Sequence, residues 1–214
     1  QLDVDQLINF AHKQGFSKPW NLIAHSMGGA IGLRALLNGS PIEKVVFSSP
    51  MWDIKMHQKV IFDKLLHFYT KNSYVFYKLL KKENHFVPST NETPYLANGN
   101  FENNTLTNDQ DYFTYLKNQI LQHPSLALAG PSVKWLRTAL IECQNLQNTE
   151  MPKTPCLALC SINDKIINNT AIKNIMQKWP EGKIIHIKNA QHEVLMENDN
   201  LLKKIYSDID KFLN

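Results

Sequence analysis

The sequence has little of what membrane-spanning, DNA-reading or disulfide-stabilised proteins need. Its longest unbroken apolar runs, such as residues 156–160, fall far short of the ~20 residues that cross a bilayer, which predicts no transmembrane helix. Only Arg34 and Arg137 are arginines among 23 basic residues, so direct reading of DNA bases, which relies on Arg forks, is not expected. Three cysteines cannot form a fully paired disulfide framework. We therefore expect a cytoplasmic protein without nucleic-acid partners.

What is present is a chain that alternates short apolar strands with amphipathic helices. Its 43% hydrophobic residues suffice for a sizeable core. Because such alternation covers both faces of a mainly parallel sheet with helices, it predicts an α/β fold. The pattern predicts strands at residues 20–24, 45–48, 156–161 and 183–187, and helices at 3–14, 30–37, 170–179 and 200–213. Residues 51–148 break the alternation, which predicts a helical cap inserted between core segments 1–50 and 149–214.

Residues 24–28, Ala-His-Ser-Met-Gly, fit the small-x-Ser-x-Gly pattern of a nucleophile elbow. Small residues on either side of Ser26 would let strand and helix approach closely at a sharp turn that exposes the hydroxyl. The Met27 backbone N–H, at the start of the helix, would then serve as one oxyanion donor. The simpler interpretation is that Ser26 only caps the helix, as serine often does.

An acid and a base follow the serine in the order that such hydrolases use. Asp164 comes directly after the third predicted strand and His192 after the fourth. The carboxyl ends of parallel strands carry the sites of open α/β sheets, so we expect both side chains near Ser26. Asp53, after the second strand, is the alternative acid. Glu193 is adjacent to His192 and is not expected to fold back and orient it.

The remaining histidines give no sign of a metal centre. His25 is next to Ser26 and is expected to shape the elbow or to contact substrate, while His186 falls inside a strand. The others lie in predicted helices or polar loops: His12, His57, His67, His85 and His123. Since no pair of His or Cys has the spacing of zinc ligands, we expect neither metal nor cofactor.

The motifs together resemble the monoglyceride lipase and lysophospholipase L2 branch of the α/β hydrolases, of the serine aminopeptidase S33 type. The elbow AHSMGGAIGLRAL is similar to the GHSMGG elbow of that branch. Further similar segments are SSPM, LTND, AGPSVKW, SINDKII and NAQHEVLMEND. The resemblance implies an α/β-hydrolase fold with Ser26 as nucleophile, Asp164 as orienting acid and His192 as general base. It also implies that residues 51–148 cap an acyl pocket.

Two departures from the branch stand out. Ala24 occupies a position that is usually Gly, which the elbow should tolerate because Ala is the next smallest residue. The family carries strands and an oxyanion-loop His-Gly motif before the elbow, whereas a single helix precedes it here. The chain also begins with Gln1 rather than Met. We therefore expect a portion of a longer hydrolase whose N-terminal strands, and with them the second oxyanion donor, lie outside this chain.

The substrate implied by the resemblance is a lysophospholipid or monoacylglycerol, cleaved through an acyl-enzyme. Residues 51–82 are rich in apolar and Lys residues, from which we expect Phe62, Leu66 and Tyr69 to contact the acyl chain. The same stretch could rest on an anionic membrane at its inner face, or it could be a core-facing pair of helices with a solvated Lys face. Soluble esters, thioesters or peptides remain alternative substrates, and a non-catalytic binding protein on the same fold is the alternative class.

Overall fold

The computed structural model describes residues 2–55, 78–79, 84–87 and 90–214. The expected acyl-chain contacts Phe62, Leu66 and Tyr69, and most of the basic apolar stretch, lie outside the described residues. The strands are β1 (Asn21–His25), β2 (Lys44–Ser48), β3 (Cys156–Ser161) and β4 (Gly182–Ile187). The helices are α1 (Leu2–Lys13), α2 (Met27–Leu37), α3 (Tyr95–Asn98), α4 (Gln110–Gln122), α5 (Val133–Gln147), α6 (Asn169–Lys178) and α7 (Asp199–Leu213). Short 3₁₀ turns span Phe101–Asn103 and Pro124–Leu126.

The four strands form one parallel sheet in the order β1-β2-β3-β4. Successive residues of a strand face opposite sides of a sheet, and the two central strands are apolar on both sides because helices cover both. In β2, Phe47 faces the cluster formed with α2, α5 and α6, whereas Val46 faces the cluster formed with α7. The predicted parallel α/β sheet is confirmed.

The predicted cap boundaries are not tested by this architecture and stay a prediction. Helix α5 lies within residues 51–148, yet its residues Ala139, Cys143 and Leu146 belong to the same core cluster as α2 and α6. An ion pair of 2.7 Å between Arg34 and Glu142 adds to the contact between α2 and α5. None of the helices described is long and apolar enough to span a membrane.

Parallel strands bring four loops together at one edge of the sheet. Ser26 follows β1, Ser49 follows β2, Asp164 lies in the loop after β3 and His192 in the loop after β4. Ligand sites of open α/β sheets form at this carboxyl edge, so the reactive side chains are expected there.

Candidate active site

Ser26 occupies a strained turn between β1 and α2. Its φ of 49° and ψ of −118° lie in a region that non-glycine residues rarely adopt. Three backbone hydrogen bonds hold it there: its N–H donates to Ser48 O, and its carbonyl accepts from the N–H groups of Gly29 and Met51. The side chain makes no capping hydrogen bond to α2. The simple capping interpretation is therefore wrong for this serine.

Two glycines of α2 allow the helix to start so close to the sheet. A Cβ at Gly29 would lie 2.5 Å from the Cβ of Pro50, and one at Gly32 would lie 2.9 Å from a methyl group of Leu22. A Cβ at Gly28 would meet only Ala24 Cβ, at an ordinary 3.8 Å. The close approach therefore depends on Gly29 and Gly32 more than on the Gly28 that the elbow pattern emphasised.

Asp164 is fully buried, and both oxygens of its carboxylate have hydrogen-bond partners. Oδ1 accepts the backbone N–H groups of Ile166 at 2.8 Å and Ile167 at 3.1 Å, and Oδ2 lies 2.8 Å from His192 Nδ1. Burial by itself would raise the pKa of this carboxyl. The hydrogen bond and charge attraction from His192, with the two N–H donors, outweigh burial and lower the pKa of Asp164. The group is therefore kept as a carboxylate.

His192 connects this carboxylate to the serine. The residue is 3% exposed; its Nδ1 is 2.8 Å from Asp164 Oδ2 and its Nε2 is 2.9 Å from Ser26 Oγ. With Asp164 ionised, the proton belongs on Nδ1, which leaves the Nε2 lone pair to accept the serine hydroxyl. The structure thus brings Ser26, His192 and Asp164 into one hydrogen-bonded chain.

The loop that carries His192 is fastened to a segment of the predicted cap, residues 104–109. The backbone N–H of Glu193 donates to Leu106 O at 2.7 Å, and the Gln191 side-chain amide donates to Thr107 O at 3.2 Å. A longer contact of 3.4 Å joins His192 N to Thr105 O. These bonds use backbone carbonyls of the partner segment, so the position of the imidazole depends on that segment.

Glu197 is a residue whose role the sequence did not suggest. It is fully buried, and its carboxylate accepts the N–H of Gln191 at 2.8 Å and that of Asn108 at 3.1 Å. Burial raises the pKa of Glu197, which the two N–H donors only partly offset. The only signal was an acid five residues after His192, to which the pattern assigned no function.

His25 turns away from the serine hydroxyl and towards the end of β2 and the loop after β4. Its Nδ1 lies 3.1 Å from Ser48 Oγ, its Nε2 lies 3.0 Å from Glu193 Oε2, and its ring centre is 4.9 Å from that of His192. Glu193, as expected, does not orient His192, and it contacts His25 instead. A contact of His25 with substrate stays a prediction.

Asp53, the alternative acid, belongs to a different set of contacts. Its Oδ1 accepts the N–H of Ile54 at 3.0 Å and its Oδ2 accepts the Asn168 side-chain amide at 2.9 Å. Asn168 is the residue that caps α6. Asp53 thus supports the loop that carries Asp164, and its carboxylate is occupied there.

The proposed oxyanion donor lies where the elbow predicts it. Met27 is the first residue of α2, a position whose N–H has no partner within the helix. The helix N-terminus also favours negative charge. Its role in catalysis, and the source of a second donor, stay predictions.

Comparison with known proteins places this geometry in a family context. Residues 1–199 match the sequence family described as serine aminopeptidase, S33. The chain is 27% identical over 201 residues to a probable lysophospholipase L2 of Haemophilus influenzae. The matched region covers 91% of this chain but only 59% of that relative.

Solved structures share the fold at low identity. A soluble variant of monoglyceride lipase from Saccharomyces cerevisiae superposes with a TM-score of 0.70 at 17% identity, covering 99% of this chain and 66% of the other. The monoacylglycerol lipase of Paleococcus ferrophilus gives 0.66 at 18% identity, covering 98% and 72%. At such identities the structural likeness establishes the α/β-hydrolase fold.

Proposed function

The chain belongs to the serine aminopeptidase S33 family of α/β hydrolases, and from this premise we propose that it cleaves acyl esters with Ser26 as nucleophile. His192 is the general base and Asp164 the residue that orients it. The observation that carries the proposal is the continuous chain of contacts, 2.9 Å from Ser26 Oγ to His192 Nε2 and 2.8 Å from His192 Nδ1 to Asp164 Oδ2. The strained φ of Ser26 supports the same assignment, because strain of this kind gathers at functional sites.

The reaction follows from these positions. Ser26 Oγ attacks the ester carbonyl while Nε2 of His192 takes the hydroxyl proton, and the Met27 N–H donates to the oxygen that gains negative charge. His192 then protonates the departing alcohol, which leaves an acyl group on Ser26. A water molecule attacks this acyl-enzyme as His192 accepts its proton, the fatty acid departs, and the proton returns to Ser26.

The direct test is labelling of Ser26 by a fluorophosphonate probe, followed by hydrolysis of an acyl ester. We expect Ser26→Ala to abolish labelling and to lower kcat by roughly 10⁴ to 10⁶, as loss of a triad serine does elsewhere. Ser207→Ala, on the exposed side of α7, is the matched control and should label normally. A Ser26→Ala protein that retains a tenth of wild-type turnover would overturn the nucleophile assignment, and an intact wild-type protein that never labels would favour a non-catalytic binding protein.

A lysophospholipid or a monoacylglycerol is the substrate class that the relatives favour. The curated relative is named a probable lysophospholipase, and two of the solved structures are named monoglyceride or monoacylglycerol lipases. In this proposal residues 51–148 form a cap over the acyl chain, with Phe62, Leu66 and Tyr69 among its contacts.

Three free cysteines, all buried, favour a reducing compartment such as the cytoplasm, where the basic stretch 51–82 would meet anionic lipid.

Acyl-chain selectivity tests that substrate class. If the cap surrounds the acyl chain, each buried methylene should contribute up to ~0.8 kcal/mol, about fourfold in kcat/KM, until the pocket is full. Comparing acetyl, butyryl, octanoyl and dodecanoyl esters of one alcohol measures this. A preference for acetyl would instead favour soluble esters.

The family description supports one alternative, the hydrolysis of peptides from their N-terminus. The same three side chains could perform it, because the fold and the triad do not determine the leaving group. Aminoacyl p-nitroanilides assayed beside lysophosphatidylcholine and monooleoylglycerol separate the two, since only an aminopeptidase should prefer the anilides.

A further inference from the structure

One histidine from the start of the chain and two neighbouring residues from near its end form a cluster of metal-ligand type beside Ser26. His25, His192 and Glu193 each offer a ligand atom, and within the described part of the chain these atoms lie within 4.8 Å of one another. Linear spacing gave no reason to expect this, because His25 ends β1 and His192 lies in the loop after β4. The two histidines meet because both lie at the carboxyl edge of the sheet.

The nitrogen of His25 that faces the cluster lacks a hydrogen bond. Nε2 is buried and has no hydrogen-bond partner among the described residues, although Glu193 Oε2 is 3.0 Å away. The two atoms are close, but they are not aligned as donor and acceptor. A buried polar atom without a partner costs free energy, and a ligand in front of it would remove that cost.

The outer contacts of both imidazoles are those that zinc ligands usually have. Metal-bound histidines commonly give their other ring N–H to a carboxylate or another oxygen, which fixes the tautomer. His192 Nδ1 is held by Asp164 Oδ2 at 2.8 Å, and His25 Nδ1 by Ser48 Oγ at 3.1 Å. In both side chains Nε2 is thereby the atom left to bind an ion; that of His25 has no hydrogen-bond partner among the described residues, and that of His192 is 2.9 Å from Ser26 Oγ.

The ligand set and its spacing suit Zn²⁺. Two imidazole nitrogens and one carboxylate, with the fourth position open, form a known zinc arrangement, and tetrahedral ligand atoms at about 2.0–2.2 Å from the ion lie roughly 3.3 Å apart. The 3.0 Å between His25 Nε2 and Glu193 Oε2 is already near that spacing. To bind the ion, His192 Nε2 would have to give up its 2.9 Å contact with Ser26 Oγ.

We propose that His25, His192 and Glu193 form a reversible Zn²⁺ site whose occupation blocks the nucleophile. Zinc bound to His192 Nε2 would occupy the lone pair that accepts the Ser26 proton, so that Ser26 could no longer be activated. The inhibitory effect rests on the proposed function, whereas the binding of zinc does not.

Zinc binding is tested first, without any substrate. Calorimetric titration of the full chain with zinc chloride, and absorption spectra with Co²⁺ as a substitute, should show one ion per chain. His25→Gln and Glu193→Gln should each weaken binding by at least ~10-fold, and His123→Gln, at an exposed position, should leave it unchanged. Since one variant alters the end of β1 and the other the loop after β4, one remains informative if the other fails to fold, which circular dichroism will show. Absence of binding, or binding that neither substitution weakens, overturns the proposal.

The second measurement follows fluorophosphonate labelling of Ser26 with and without zinc. Labelling of the wild type should slow at least ~10-fold when zinc is bound and recover with EDTA, whereas His25→Gln, compared with its own zinc-free rate, should lose this sensitivity. Zinc that binds at the cluster without slowing the labelling would overturn the inhibitory role. If Ser26 never labels even in EDTA, the proposed nucleophile fails, and the binding data still decide whether the site exists.

Discussion

The loops after β3 and β4 each enclose a fully buried carboxylate, yet the two carboxylates behave in opposite ways. Asp164 in the loop of residues 162–168 has a lowered pKa, and Glu197 in the loop of residues 188–198 has a raised pKa. Both accept two backbone N–H groups. The difference is the partner on the remaining side, because Asp164 faces an imidazole that can carry a positive charge and Glu197 has no such group among its described contacts.

The two buried carboxyl groups are suited to different roles. Burial disfavours the charged form of both carboxyls, and in Asp164 the hydrogen bond and charge attraction from His192, together with the two N–H donors, outweigh that penalty. Asp164 is therefore suited to stabilise a developing imidazolium on His192. Glu197 is suited to hold a loop in place, since it joins Gln191, the residue before the base, to Asn108 in the opposite segment.

The largest effect is expected from Asp164→Asn. The amide keeps the shape of the side chain but can present an N–H to Nδ1, which favours the tautomer with its proton on Nε2, and kcat should fall by about 10⁴. Steady-state kinetics on the preferred acyl ester measures this. Asn168→Ala, which also alters the loop of residues 162–168 but leaves the carboxylate, is the control, and an equal loss in both would point to loop disorder.

Glu197→Ala should have a smaller effect, concentrated in kcat. Its removal leaves the partly buried N–H groups of Gln191 and Asn108 without their acceptor, and a displacement of His192 by about 1 Å can cost up to ~10²-fold in rate. Glu197→Gln keeps one acceptor oxygen and should recover part of the loss. Asn108→Ala retains the backbone donor and is the matched control.

A purely structural role for Glu197 would change other quantities. Loss of folded protein would lower the labelled fraction of Ser26 and leave kcat per labelled site unchanged. Misplacement of the base would slow the labelling of every molecule. An unchanged rate per site in Glu197→Ala would contradict the positioning role.

The contributions of Glu197 and Asp164 to stability should change with pH in opposite directions, because their pKa shifts have opposite signs. Glu197, with a raised pKa, contributes most to stability below about pH 4.3 and loses that contribution as the pH rises through its folded pKa. Asp164, with a lowered pKa, keeps its contribution above about pH 3.9 and loses it as the pH falls through its folded pKa. Each proton accounts for at most about 1.4 kcal/mol per pH unit.

Urea unfolding of the wild type and both amide variants between about pH 4 and 7 measures this contrast. The free energy of unfolding of the wild type, relative to that of Glu197→Gln, should fall as the pH rises. The free energy of unfolding of the wild type, relative to that of Asp164→Asn, should be constant above about pH 5. Parallel curves for the two variants would remove the electrostatic distinction drawn between the loops.

The strands and the loops that carry Ser26, Asp164 and His192 could be predicted because apolar runs and chain order are written in the sequence. The contacts that support these loops could not be predicted. The segment of residues 104–109 holds the His192 loop through backbone carbonyls, which no side-chain pattern encodes. The approach of His25 to Glu193 likewise depends on the loop after β4 reaching the end of β1.

Asp53→Asn should produce the smallest effect and completes the ranking of the acids. Its carboxylate is occupied by the Ile54 N–H and the Asn168 amide, so the substitution replaces one accepted hydrogen bond by two facing donors. We expect about 1 kcal/mol of lost stability and a kcat within a few fold of wild type, because Asp164 remains bonded to Ile166, Ile167 and His192. Kinetics and urea unfolding on the same preparation separate the two quantities. If Asp53→Asn lost 10⁴-fold in kcat while Asp164→Asn retained activity, the orienting acid would be Asp53 and the geometry around His192 would have to change during turnover.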